Sequence, residues 1–196
     1  NLFDYLSRSQ LTGVLEARDI LIAILQGIGE IWPDGSWIDN VAIGDAGYHE
    51  AVKRSDITDG IVPFHKLSQW MSYSLIEPLQ EAGFKLKNLD ALTGLAEYRN
   101  GGLFIDTKTI TLRDKTQLEV VHDPKSPLVV EWRALTVILL DKLAVKIRQR
   151  TNTNSESMPL ASILQGGTWS AGRQIAQQLR VNGSPPLRLN SRGTIF

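Results

Sequence analysis

The sequence predicts a mainly α fold, a single globular helical domain with one small β-hairpin. Three observations lead there. Apolar residues recur at helical spacing in five stretches bounded by Gly or Pro. Only one stretch, around 103–112, sets two short runs of strand composition across a turn. With 196 residues, 42% of them hydrophobic, and no cysteine, the chain is long enough to bury roughly 70% of its extended surface without a staple.

The first helical stretch starts at Leu11 and continues through Val14, Leu15 and Ile20 to Leu25, ending at Gly27, Gly29 and Pro33. From Pro33 to Gly60 the chain is rich in Gly, Asp and Asn and reads as loop with short pieces. Pro63 opens the second helix, with Phe64, Leu67, Trp70, Met71 and Leu75 on its periodic face. Pro78 is expected to kink or reset it, and Gly83 to cap it. Thr93 to Arg99 reads as a short helical turn closed by Asn100-Gly101-Gly102. Leu103-Phe104-Ile105 and Thr109-Ile110-Thr111-Leu112 then form the hairpin, with Asp106-Thr107-Lys108 between them. Pro127 starts the strongest helix, Leu128 to about Gln149, whose last turn carries Lys146, Arg148 and Arg150 against the helix dipole. Residues 151–157 read as a mobile polar linker. Pro159 opens a last helical stretch to Leu179, interrupted by Gly166-Gly167, and 181–196 is a tail with one strand at most.

Charge and composition exclude several classes. Lys plus Arg (21) balance Asp plus Glu (21), which argues against a phosphate-backbone binder, so no nucleic-acid partner is expected. The apolar runs Ile20–Leu25 and Ala134–Leu140 are far short of the ~20 residues that span a bilayer, and no membrane partner is expected. Absent cysteine removes thiolate metal sites, Fe–S clusters and cysteine nucleophiles, and fits a cytoplasmic protein. The chain opens on Asn1 rather than Met, so a missing N-terminal part of the same protein is an expected partner of residues 1–196, which read as one domain.

Few residues carry chemical signal. Asp45 and His49 stand four apart but lack a third ligand, and they read as solvated loop residues, with no metal expected. In 64–77, Lys66 and Glu77 fall eleven residues apart on one helical face, with Tyr73 near that line. Two readings stand side by side there: a desolvated catalytic group and a solvated polar stripe. Glu97-Tyr98-Arg99 sets an acid, a phenol and a guanidinium before a Gly-Gly pair, and Glu131-Trp132-Arg133 repeats the theme inside apolar sequence. These residues leave catalysis open beside an internal salt bridge, Glu97 with Arg133 or Glu131 with Arg99.

Several motifs together resemble the uracil-catabolism protein family: Ile61-Val62-Pro63-Phe64-His65-Lys66-Leu67-Ser68-Gln69-Trp70, Leu92-Thr93-Gly94-Leu95-Ala96-Glu97-Tyr98-Arg99-Asn100-Gly101-Gly102, Val130-Glu131-Trp132-Arg133-Ala134 and Gly166-Gly167-Thr168-Trp169. The resemblance covers the C-terminal part of that family. More distantly, the order Lys66, Glu97-Tyr98-Arg99, Glu131-Trp132-Arg133-Ala134 and Arg192 with Phe196 is similar to the queuosine-salvage N-glycohydrolases, with Glu97 where they carry Asp. That likeness implies a DNA-glycosylase-like helical fold and cleavage of an N-glycosidic bond in a small nucleoside or nucleotide of the ribosylurea type, releasing urea or a ureido fragment. In that reading Glu97 is the catalytic carboxylate and Lys66 positions it or holds a phosphate. Arg99, Arg133 and Arg192 reach phosphate or ribose hydroxyls, Tyr73 and Trp169 wall the sugar, and Tyr98 and Glu131 complete the substrate contacts. No cofactor is expected. The alternative is a non-catalytic nucleotide-binding or scaffold module of the same pathway.

Overall fold

The computed structural model describes residues 1–9, 13–32 and 34–191. Helix α5, Pro127–Thr151, runs through its centre. Pro127 supplies the preset φ of a first turn, Arg148 and Arg150 sit in the last, and Asn152 closes the helix in the left-handed region. Its buried side chains, among them Val129, Val130, Trp132, Arg133, Thr136 and Leu140, wrap most of the way round, because other elements cover it on several sides.

One group of elements lies toward the N-terminus. Helices α1 (Leu2–Ser9), α2 (Ala17–Ile28) and α3 (Lys66–Glu81) enclose Leu6, Leu15, Ile20, Ile24 and Leu79. The first predicted helix therefore needs correction. Its start at Leu11 lies outside the described residues, and Val14–Glu16 is a strand, β1, pairing in parallel with β6 (Lys85–Lys87). Pro63 likewise does not open α3. It ends strand β5 (Ile61–Pro63), which pairs antiparallel with β4 (Ala46–Tyr48), and α3 begins at Lys66 after His65 at φ 48°. Pro78 leaves α3 continuous to Glu81. Strands β2 (Ser36–Ile38) and β3 (Val41–Gly44) form an antiparallel hairpin in the stretch read as loop.

The second group packs α4 (Tyr98–Asp106) and α6 (Leu160–Ile163) on α5, burying Phe104, Leu140, Leu160, Ile163 and Leu164, and α7 (Trp169–Leu179) packs on α4. Each such side chain contributes about 1.5–3 kcal/mol by leaving water. Strands β7 (Val121–His122) and β8 (Arg188–Leu189) pair in parallel at its edge.

The predicted hairpin at 103–112 is absent: Leu103-Phe104-Ile105 lies within α4, and the predicted helical turn at 93–99 gives way to a helix that starts only at Tyr98. Glycines 101 and 102 do not end a helix here. They continue the helix because they face neighbours, and a Cβ on Gly101 would lie 2.8 Å from both the Trp132 indole nitrogen and the Thr136 hydroxyl. The Trp132 Nε1–H donates to the Gly101 carbonyl at 3.0 Å instead. Close packing, not termination, is what the pair supplies.

The last helical stretch is interrupted at Gly166-Gly167, as the sequence predicts. The pair falls in a π-helical turn, Leu164–Thr168, that joins α6 to α7. Such turns shift side-chain phase locally, and here the Thr168 hydroxyl donates to Asn100 Oδ1 of α4 at 2.9 Å. Helices α4 and α7 touch at Gly172, where a Cβ would land on the Arg99 carbonyl. Gly172→Ala should therefore lower stability by about 1–3 kcal/mol through overpacking. A thermal melt that superimposes on wild type would show that the two helices can part at no cost.

Candidate functional site

A knot of five ionisable residues joins the two groups. Asp45 sits just before β4, following Gly44 at φ +69°. Its carbonyl accepts the N–H groups of Phe64 and His65, both at 2.9 Å, which folds the start of α3 back over it. Its carboxylate accepts the Lys66 N–H at 2.9 Å and takes both arms of Arg133, Nη1 to Oδ1 at 2.8 Å and Nη2 to Oδ2 at 2.7 Å. Arg133 is 1% exposed, donates from Nε to the Ala96 carbonyl and lies 4.0 Å over the Phe64 ring.

The internal salt bridge read as the alternative to catalysis, Glu97 with Arg133 or Glu131 with Arg99, is instead Asp45–Arg133. Asp45 is no solvated loop residue: it is buried, and its carboxylate is taken by Arg133 and the Lys66 N–H. A buried guanidinium in apolar α5 required an acid. The signal for Asp45 was its flanking by Gly44, Ala46 and Gly47. A Cβ at Gly47 would collide with Val130, so only glycine lets β4 press onto α5 and deliver the carboxylate.

Glu97 is buried and caps α4. Its Oε2 accepts from the Arg99 N–H at 2.9 Å and its Oε1 from the Asn100 N–H at 2.6 Å. Burial pushes its carboxyl above the usual range, opposed by those two hydrogen bonds and by the charges of Lys66 and Arg99. Lys66, 8% exposed, is pulled down to about 8, first by burial and then by the Arg133 charge, while Asp45 and Glu97 hold it up. Burial lowers His65 as well, and its buried Nδ1 has no hydrogen-bond partner among the described residues. The two proposed catalytic groups therefore feel each other's charge in a dry setting, where electrostatic interactions are strong.

The linkage of Lys66 gives a measurable sign. Between pH 8 and its ordinary value of 10.5 the unfolded chain holds a proton that the folded chain has lost. Stability contributed by this group therefore rises with pH across that window. Tyr73 opposes it above pH 10, since burial, with Asp90 and Asp141, raises its phenol. Denaturant melts should show stability climbing from pH 8 to 10 in wild type and a flatter profile in Lys66→Met. A wild-type profile that falls from pH 8 onward would contradict the buried ammonium.

Other candidate residues are distributed unevenly. Arg99 reaches Trp169, with its guanidinium carbon 4.6 Å from the ring centroid, and lies 5.1 Å from the Tyr98 ring. Tyr73 is directed elsewhere, its hydroxyl donating to the Thr93 carbonyl at 2.9 Å. Glu131 is exposed on α5, on the face opposite the inward Trp132 and Arg133, and Glu77 is exposed at the far end of α3. Arg192 and Phe196 lie outside the described residues. Sequence reasoning gave Asp45 no ionic partner and passed over Asn100, Thr168 and Arg173; Asp45 meets Arg133 and Asn100 meets Thr168 across long stretches of chain, whereas Arg173 lies over Trp169, four residues before it. Among the described residues no group of three His, Asp or Glu side chains is placed to hold a metal ion, and no helix is long and apolar enough to cross a membrane.

A family model described as "Protein of unknown function (DUF1688)" matches residues 1–196. Protein urg3 of Schizosaccharomyces pombe is 41% identical over 169 residues, covering 85% of this chain and 41% of that protein. Uracil catabolism protein 4 of Lachancea kluyveri is 36% identical over 222 residues, covering 100% of this chain and 50% of that protein. The chain spans half or less of the length of these curated relatives. No solved structure matches it.

Proposed function

We propose a reaction for this chain, which belongs to the family described as a protein of unknown function (DUF1688). It serves uracil catabolism as a cytoplasmic N-glycosidase that hydrolyses the C1′–N bond of a ribosylurea-type nucleoside or nucleotide. The single observation that carries the reading is the desolvated Glu97–Lys66 pair, two opposite charges with proton affinities displaced toward neutrality. The name of the Lachancea kluyveri relative supports the pathway. A DNA-glycosylase-like arrangement of the helices about α5 goes with the same reading.

Water attacks C1′ as the C1′–N bond breaks through an oxocarbenium-like sugar. The Glu97 carboxylate faces the developing cation, takes the water proton, and returns it to the departing urea nitrogen, so that ribose (or its phosphate) and urea leave. Lys66 positions Glu97 and keeps it ionised. Trp169 and Arg99 receive the ribosyl portion, while Arg133 acts from behind through Asp45. A second reading, a nucleotide-binding or scaffold module without turnover, is favoured by one observation: both Glu97 oxygens already serve as a helix cap.

The test is incubation of the full-length protein with ribosylurea and with its 5′-phosphate, assayed for released urea. Urea from either substrate, lost in Glu97→Gln, supports hydrolysis. No urea from either, with binding retained, hands the case to the module.

A further inference from the structure

Two arginines share one indole ring at the junction of α4 and α7. The guanidinium carbon of Arg173 lies 4.5 Å from the Trp169 ring centroid, and that of Arg99 lies 4.6 Å from it. Gly172 makes this possible, because α7 rests against the Arg99 carbonyl there and brings the next residue, Arg173, alongside. Both arginines also line a narrow crevice with Arg180 and Asp106. That carboxylate is spent, since Arg180 takes both its oxygens, at 2.8 and 2.5 Å. Glu97, the acid whose charge reaches Arg99, has both oxygens on backbone N–H groups. Among the described residues neither Arg99 nor Arg173 closes an ion pair. Two positive charges are gathered on one ring with no counter-charge of their own.

We propose that Arg99 and Arg173, held against Trp169, form a binding site for a phosphomonoester dianion. The inference rests on the N-glycosidase reading for what the phosphate is attached to, a ribosyl group whose C1′ faces Glu97. A cation held over an aromatic face spends none of its N–H donors on the ring, so those of Arg99 and Arg173 remain for an anion. A carboxylate is satisfied by one guanidinium fork. A phosphomonoester has a second charge and a third oxygen, and so matches two forks at once. The crevice itself admits little more than one water molecule, which places the phosphate on the guanidinium edges rather than between the helices. Arg173 is then a specificity-determining residue, selecting the phosphorylated substrate over the free nucleoside.

The experiment is calorimetric titration of the full-length protein with ribose 5-phosphate, inorganic phosphate and ribose. Ribose 5-phosphate is expected to bind, ribose far more weakly, and inorganic phosphate between them. Arg173→Ala should weaken ribose 5-phosphate binding roughly 10- to 100-fold, the loss of a charged hydrogen-bonding fork, with Arg173→Lys restoring part of it. Melting should barely move, since Arg173 is exposed. Absent binding of ribose 5-phosphate, equal affinity for ribose, or an Arg173→Ala variant that binds as wild type would each overturn the site. Urea release measured in parallel keeps the two readings apart. Arg173-dependent phosphate binding in a protein that never releases urea leaves this site standing and removes the hydrolase. Release of urea from unphosphorylated ribosylurea, indifferent to Arg173→Ala and to phosphate, removes this site and leaves the hydrolase.

Discussion

Arg133→Met or Asp45→Asn lowers the unfolding free energy by about 3–5 kcal/mol, because either change strands a buried charge. In a protein of this size that is a fall of roughly 6–20 °C in melting temperature. Asp45 and Arg133 are 88 positions apart in the chain, yet their two-pronged bond ties β4 to α5, with side chains 7% and 1% exposed. The damage spreads because Asp45 also receives the Lys66 N–H through its carboxylate, while its carbonyl holds the N–H groups of Phe64 and His65. The double variant should lose less than the sum of the two singles, since removing both charges leaves neither stranded. Denaturant midpoints at constant slope give all four corners of that cycle. Singles within about 1 kcal/mol of wild type would mean that water reaches the pair and that the knot is not a dry one.

Glu97→Gln abolishes most turnover and leaves the fold largely intact. The amide preserves size and can still accept one N–H bond at the start of α4, so melting should change by no more than the ~0.5–2 kcal/mol of a weakened cap. On the proposed mechanism it removes the charge that would face C1′, and turnover should fall about 10²–10⁴-fold with substrate binding little altered. The pH profile supplies an independent sign. Burial raises the Glu97 carboxyl, so wild-type activity rises with pH as that group ionises, and the acid limb disappears in Glu97→Gln. Above about 8 Lys66 loses its proton, and activity should decline there in wild type but not in whatever residual rate Lys66→Met retains. Glu97 leaves the mechanism if the variant folds and releases urea at the normal rate. A variant that melts as early as Arg133→Met makes it structural.

Local chemistry made parts of this protein legible from the chain alone. Helix α5 could be placed because Pro127 sets the first turn, a long and mostly apolar stretch free of Gly and Pro follows, and Arg148 and Arg150 complement its C-terminal end. The resemblance to the uracil-catabolism family likewise rested on contiguous motifs, and the family match over the whole chain upholds it. The α7 stretch was legible for the same reason, being periodic over its own length.

Tertiary packing decided the rest. Gly101-Gly102 looks like a turn to any local rule, yet it lies inside α4 because Trp132 and Thr136 of α5 stand where a Gly101 side chain would be and Pro186 where a Gly102 side chain would be. Val14–Glu16 continues a helical pattern until Lys85–Lys87 offers it a parallel strand. Asp45 reads as a loop acid until Gly47 lets β4 press against Val130 and carry it to Arg133. Periodicity reports which face of an element is apolar, and caps report where it ends. Neither encodes which distant residue will fill a glycine's missing volume or neutralise a buried charge, because that choice is made by close packing between segments tens of residues apart.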